Sequence, residues 1–86
     1  MTKTIKVNYT AHTGRHADAV VASVVFYVSE EVFEDLMNPK FNPFPCYFDF
    51  PKGRKQTNLC QMVLAYAAMH GYYILKSDQI ISVVEE

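Results

Sequence analysis

Tryptophan is absent from the 86 residues, and cysteine, glycine and proline occur only two, three and four times. Two cysteines, Cys46 and Cys60, are too few for a disulfide framework, and in a reducing compartment both read as small buried hydrophobes. Three glycines leave little room for a phosphate-cradling loop. No nucleotide fingerprint, nucleophile elbow or paired-carboxylate motif is present, so nothing argues for an enzyme. An excess of charge of either sign is also lacking. A formal net charge of -1 argues against a histone-like protein and against an acidic mimic of nucleic acid. No apolar run approaches the roughly 18 residues that a bilayer crossing needs, and no secretory apolar region follows Met1-Thr2-Lys3. The expected address is the cytoplasm.

What the chain does have is apolar and aromatic: half the residues are hydrophobic, with six Phe and six Tyr. That content suits a single domain over residues 1–86, built on a small sheet with aromatic cross-strand pairs. Residues 4–10 alternate Ile5, Val7 and Tyr9 with Lys6 and Asn8, the period of a half-buried strand. Residues 11–16 carry the glycine and polar content of a turn. The Val-rich run 19–28 then reads as a second strand, closing an antiparallel hairpin. Ser29 is placed to cap a short helix, with Glu30 and Glu31 in its first turn and Val32, Phe33, Leu36 and Met37 on its apolar side. Asn38-Pro39 ends that helix, because the residue before proline is driven out of the α region.

Residues 39–45 form an irregular connection anchored by Phe41 and Phe44, and residues 46–50 alternate as a short strand. A basic turn follows. The central helix is expected to start with Thr57 or Asn58 as its cap and to stop at Gly71. Leu59, Met62, Val63, Tyr66 and Met69 make its core stripe, yet Gln61, Ala65 and Ala68 stand where a solvated face would carry charge. Those three residues are therefore the expected interface of a homodimer, the plain alternative being cover from the segment 39–45. After Gly71, residues 72–76 and 79–84 predict a terminal hairpin about Ser77-Asp78. An edge-to-edge dimer through 79–84 is a second way to self-associate, although Glu85 and Glu86 protect that edge. The predicted order is strand, strand, helix, strand, helix, strand, strand. That order gives an α+β two-layer domain, a mainly antiparallel sheet with its helices packed on one face.

Three constellations could carry function. His12 and His16, beside Arg15, suggest acid–base or metal chemistry, because imidazole titrates near neutrality. The intervening Thr13-Gly14 argues for a turn, however, and solvated loop histidines are the plainer expectation; no catalytic residue, metal or cofactor is assigned. Glu30, Glu31, Glu34 and Asp35 make an acidic edge on the first helix, suited to docking on a basic surface of a protein or ribonucleoprotein partner. Lys52, Arg54 and Lys55 with Tyr47 put cations beside aromatic rings, the chemistry of RNA or single-stranded nucleic-acid binding.

With its strands around an alanine-rich helix, its terminal hairpin and its lack of a catalytic signature, the chain resembles small bacteriophage-encoded host-interaction proteins. These include anti-CRISPR proteins and antagonists of toxins and bacterial defence. The resemblance lies in architecture, not in a motif. It implies a non-enzymatic inhibitor or modulator that occupies a partner's working surface in the host cytoplasm, and it assigns no binding residue.

Overall fold

In the computed structural model, the structure describes residues 1–14, 16–38, 40, 44–48 and 55–86, with backbone alone for Cys46 and residues 55–58. The elements are β1 (Thr2–His12), β2 (Ala19–Ser29), α1 (Glu30–Met37), β3 (Cys46–Tyr47), α2 (Lys55–Met69) and β4 (Gln79–Glu85). The four strands pair antiparallel in the order β2-β1-β4-β3. The protein is α+β.

The alternation of the first strands does what a period of two dictates. Ile5, Val7, Tyr9 and Ala11 are fully buried on one face of β1, opposite Phe26, Val24, Ala22 and Val20 of β2. On the other side of β1, Val7 pairs with Val83 and Tyr9 with Ile80, after a register shift between Asn8 and Tyr9. Both helices lie against this face. Phe33 of α1 sits under the Lys3 ammonium at 5.5 Å, and Tyr66 of α2 meets Phe26 edge to face with centroids 6.4 Å apart. Leu36, Leu59, Val63 and Ala67 complete the core.

Ser29 caps α1 as expected: its backbone is extended and its Oγ accepts from the Val32 N–H at 3.2 Å. Gly71 stops α2 as expected. At φ 78° it lets the Tyr72 N–H reach the Ala67 carbonyl (2.9 Å) while its own N–H reaches that of Ala68 (3.3 Å), the paired bonds of a Schellman ending.

Four expectations are corrected. The strand β1 runs on through Ala11 and His12, both buried, so the turn begins later than residue 11. The helix α2 starts at Lys55, and Thr57 and Asn58 fall inside it. Lys55 and Gln56 are good helix formers that extend the helix past both candidate caps. Residues 72–76 are not a strand, and there is no terminal hairpin. The backbone of Tyr73 makes one two-way bridge to His12 (2.7 and 2.8 Å), and the chain then turns, with the Asp78 N–H on the Leu75 carbonyl at 3.0 Å. Strand β4 is unavailable as a hairpin partner, because Ile80 and Val83 bury against Tyr9 and Val7 of β1 and its first residues pair with β3. The edge expected along 79–84 is taken by β1 on one side and by β3 at Gln79 and Ile80 on the other. Of the expected strand 46–50, residues 46 and 47 pair, while 49 and 50 fall outside the described residues.

Candidate functional site

The acidic helix takes its position from the strand before it. Chain direction passes from β2 through the Ser29 cap straight into α1, so α1 begins at the end of an outer strand and lies near α2. Its amphipathic spacing turns Leu36 into the core and leaves Glu30, Glu31 and Glu34 exposed, with Asp35 half-buried. Val32 stays 44% exposed although it is apolar. The reason is a cleft of about 460 Å³ lined by Val28, Glu31, Val32, Asp35, Leu36, Leu59 and Met62. An apolar floor from β2, α1 and α2 thus meets two carboxylates of the acidic edge. The residue types were legible in the sequence, but their convergence was not: Leu59 and Met62 read as core stripe, and only the structure shows Met62 left 39% exposed at a cleft wall.

The other expected residues are dispersed. Gln61, Ala65 and Ala68 are all exposed, together with Leu64 and Met69, so the uncharged outer face of α2 is open. Tyr47 is exposed and lines a second cleft of about 570 Å³ with Phe48, Leu64, Ile74, Leu75 and Lys76. Its expected companions Lys52 and Arg54, with Arg15 and Phe41, lie outside the described residues, as does the side chain of Lys55.

The two histidines part company. His16 is exposed in the connection after β1. His12 is buried, contrary to the solvated histidine expected, because β1 carries it under the segment 73–78. Its Nδ1 lies 2.9 Å from Asp78 Oδ2, and a carboxylate only accepts, so that nitrogen carries the proton and donates. The same oxygen accepts from the Leu75 N–H at 2.7 Å. Asp78 is 1% exposed, and the pair pins an otherwise irregular segment to the sheet. This is a structural tie across 66 positions of sequence, with no local signal to announce it. Among the described residues no three His, Cys, Asp or Glu side chains come together as metal ligands would. Among them, too, no helix is long and apolar enough to cross a membrane.

Comparison with known proteins returns no family model, curated protein or solved structure that matches the chain.

Proposed function

We propose that the chain is a non-enzymatic binding protein that holds a basic, apolar segment of a protein or ribonucleoprotein partner in the cleft between α1 and α2, and thereby inhibits or modulates it. One observation carries this: the carboxylates of Glu31 and Asp35 border a floor of Val28, Val32, Leu36, Leu59 and Met62. A concave apolar floor supplies affinity by excluding water, and a few polar groups at its margin fix orientation. All four charges on α1 are negative, so a cation on the partner finds no competing lysine or arginine on that helix. Such charges raise encounter rate and select against acidic partners more than they add affinity. An amphipathic segment with Lys or Arg beside Leu or Met matches both requirements. The action is assigned to the cytoplasm, the host's if the protein is phage-encoded.

The test is a nuclear magnetic resonance titration of the labelled chain with two amphipathic peptides that share leucines but carry either lysine or glutamate. The expected result is shifts at Val28, Val32, Leu36, Leu59 and Met62 with the lysine peptide alone, abolished by Glu31→Lys with Asp35→Lys. Equal response to both peptides, or shifts elsewhere, sinks the proposal.

A second reading rests on the exposed ring of Tyr47 beside Lys76. There, with Lys52, Arg54 and Lys55 nearby in sequence, a base would stack and phosphates would bind, giving an affinity for RNA that falls steeply with salt. Binding insensitive to salt rules it out.

A further inference from the structure

Strand β2 is 11 residues long, Ala-Val-Val-Ala-Ser-Val-Val-Phe-Tyr-Val-Ser, without a charge, a proline or a glycine. It is the outer strand of the sheet, and among the described residues no strand pairs with its free side. Its ladder to β1 continues through all its residues without a bulge. Soluble proteins commonly guard such an edge with lysine, proline or a bulge, because a row of unpaired N–H and C=O groups accepts another strand. Here none of these guards is present. The face of β2 turned away from the helices is open as well, with Val21 70%, Val25 42% and Tyr27 77% exposed.

We propose that this edge pairs with the same edge of a second copy, antiparallel about a two-fold axis at Val24, joining two four-stranded sheets into one. The inference is independent of the cleft. What selects a second copy is self-complementarity in that register. Residues whose numbers add to 48 face each other, so on the helix side Phe26 meets Ala22 of the second copy, large against small, and Val28 meets Val20. On the open side Tyr27 meets Val21, and Val25 meets Ser23. Every side chain keeps its face, as the period of two demands, and no like charges oppose along the ladder. An isologous contact of this kind closes at two copies and leaves no further β2 edge exposed.

The size of the contact sets its strength. An 11-residue strand spans about 37 Å, and a sheet about 10 Å thick then covers roughly 400 Å² per copy, with about ten main-chain hydrogen bonds. That is below the roughly 1,200 Å² total of a standard stable interface, so the pairing is a concentration-dependent equilibrium, with a dissociation constant of about 10 µM to 1 mM. Just beyond the ladder, Asp18 precedes β2 and Glu30 follows it, so the antiparallel register brings like charge from the two copies to each end. Added salt screens that repulsion and tightens the dimer, the reverse of what a lysine-bearing peptide in the cleft would show.

Sedimentation equilibrium on the full chain, over that concentration range and at two salt levels, tests this. Val21 and Tyr27 stand opposite Thr10 and Thr4 of β1, so charges placed there meet no charged neighbour across the ladder within one copy. Val21→Lys with Tyr27→Lys sets lysines face to face across the axis and is expected to weaken dimerisation at least about tenfold. Val21→Lys with Tyr27→Glu sets opposite charges there and is expected to restore it. Circular dichroism of both variants confirms that each copy stays folded. A wild-type chain that remains monomeric throughout overturns the proposal, as do two variants that associate alike. Dimerisation that survives the lysine pair but is lost in Ala65→Glu with Ala68→Glu also overturns it, placing the interface on α2.

Discussion

The hydroxyl of Tyr9 sits in the core with the residue wholly buried and no hydrogen-bond partner among the described residues. A buried donor left unmade costs about 1–3 kcal/mol, while the ring itself is well packed, edge to face on Phe48 at 6.4 Å. Tyr9→Phe is therefore expected to stabilise the fold by about 1 kcal/mol in urea denaturation at neutral pH. Burial, with Tyr66 and Tyr72 nearby, pushes the Tyr9 phenol above its ordinary value of 10.0. Above that pH the unfolded chain gives up this proton and the folded chain keeps it, so folding stability falls as pH rises, by up to about 1.4 kcal/mol per pH unit, until the folded phenol ionises too. The Phe variant is expected to lose this component, its alkaline limb flattening beside the wild type's. Asp78 is the opposite case, a buried carboxylate whose Oδ2 accepts from both His12 Nδ1 and the Leu75 N–H. Asp78→Ala strands the His12 ring and the Leu75 N–H together and is expected to cost about 3 kcal/mol in the same assay. Asp78→Asn keeps an oxygen where both bonds converge and should recover more than half of that loss. Neither role shows in the sequence, where Tyr9 was one more apolar residue of a strand and Asp78 one more turn residue.

At the scale of elements, local rules served where local forces decide. The Ser29 cap, the glycine stop, the alternation of the first strand and the Val-rich run of the second each depend on a few neighbouring residues, and each stands as read. Gly71→Ala tests the stop. A Cβ there would meet nothing within 4 Å, so its cost is the left-handed backbone alone, about 1–2 kcal/mol. A larger thermal shift than that allows would mean the helix end is held by more than its φ. The elements misread were those whose backbone bonds go to distant partners. Residues 72–76 are β-rich in composition, but their neighbour is the far end of β1, and the tie that holds them there is the His12–Asp78 pair. Likewise, the turn at Ser77-Asp78 marked 79–84 as a hairpin strand without saying that β1 would take its edge.

Over the whole molecule, what distinguishes this chain is how much apolar surface is left without a charged guard: the cleft floor beside α1, the outer face of α2 and the edge of β2. The acidic edge was visible in the sequence as four carboxylates in six residues. Its apolar companion was not, because Leu59 and Met62 are brought to it by the packing of a helix some 30 positions away. Of the two clefts among the described residues, the one beside α1 carries the two carboxylates on which the proposed function rests. The direct measurement is photo-crosslinking in native extract from a benzophenone residue placed at Val32, with a second chain labelled at Tyr47 for comparison. The expected result is a discrete protein adduct from the Val32 position whose contact segment is basic and apolar, lost in the Glu31→Lys, Asp35→Lys background. No adduct there, with nucleic acid captured at the Tyr47 position instead, would contradict the cleft and move the function to the opposite side of α2.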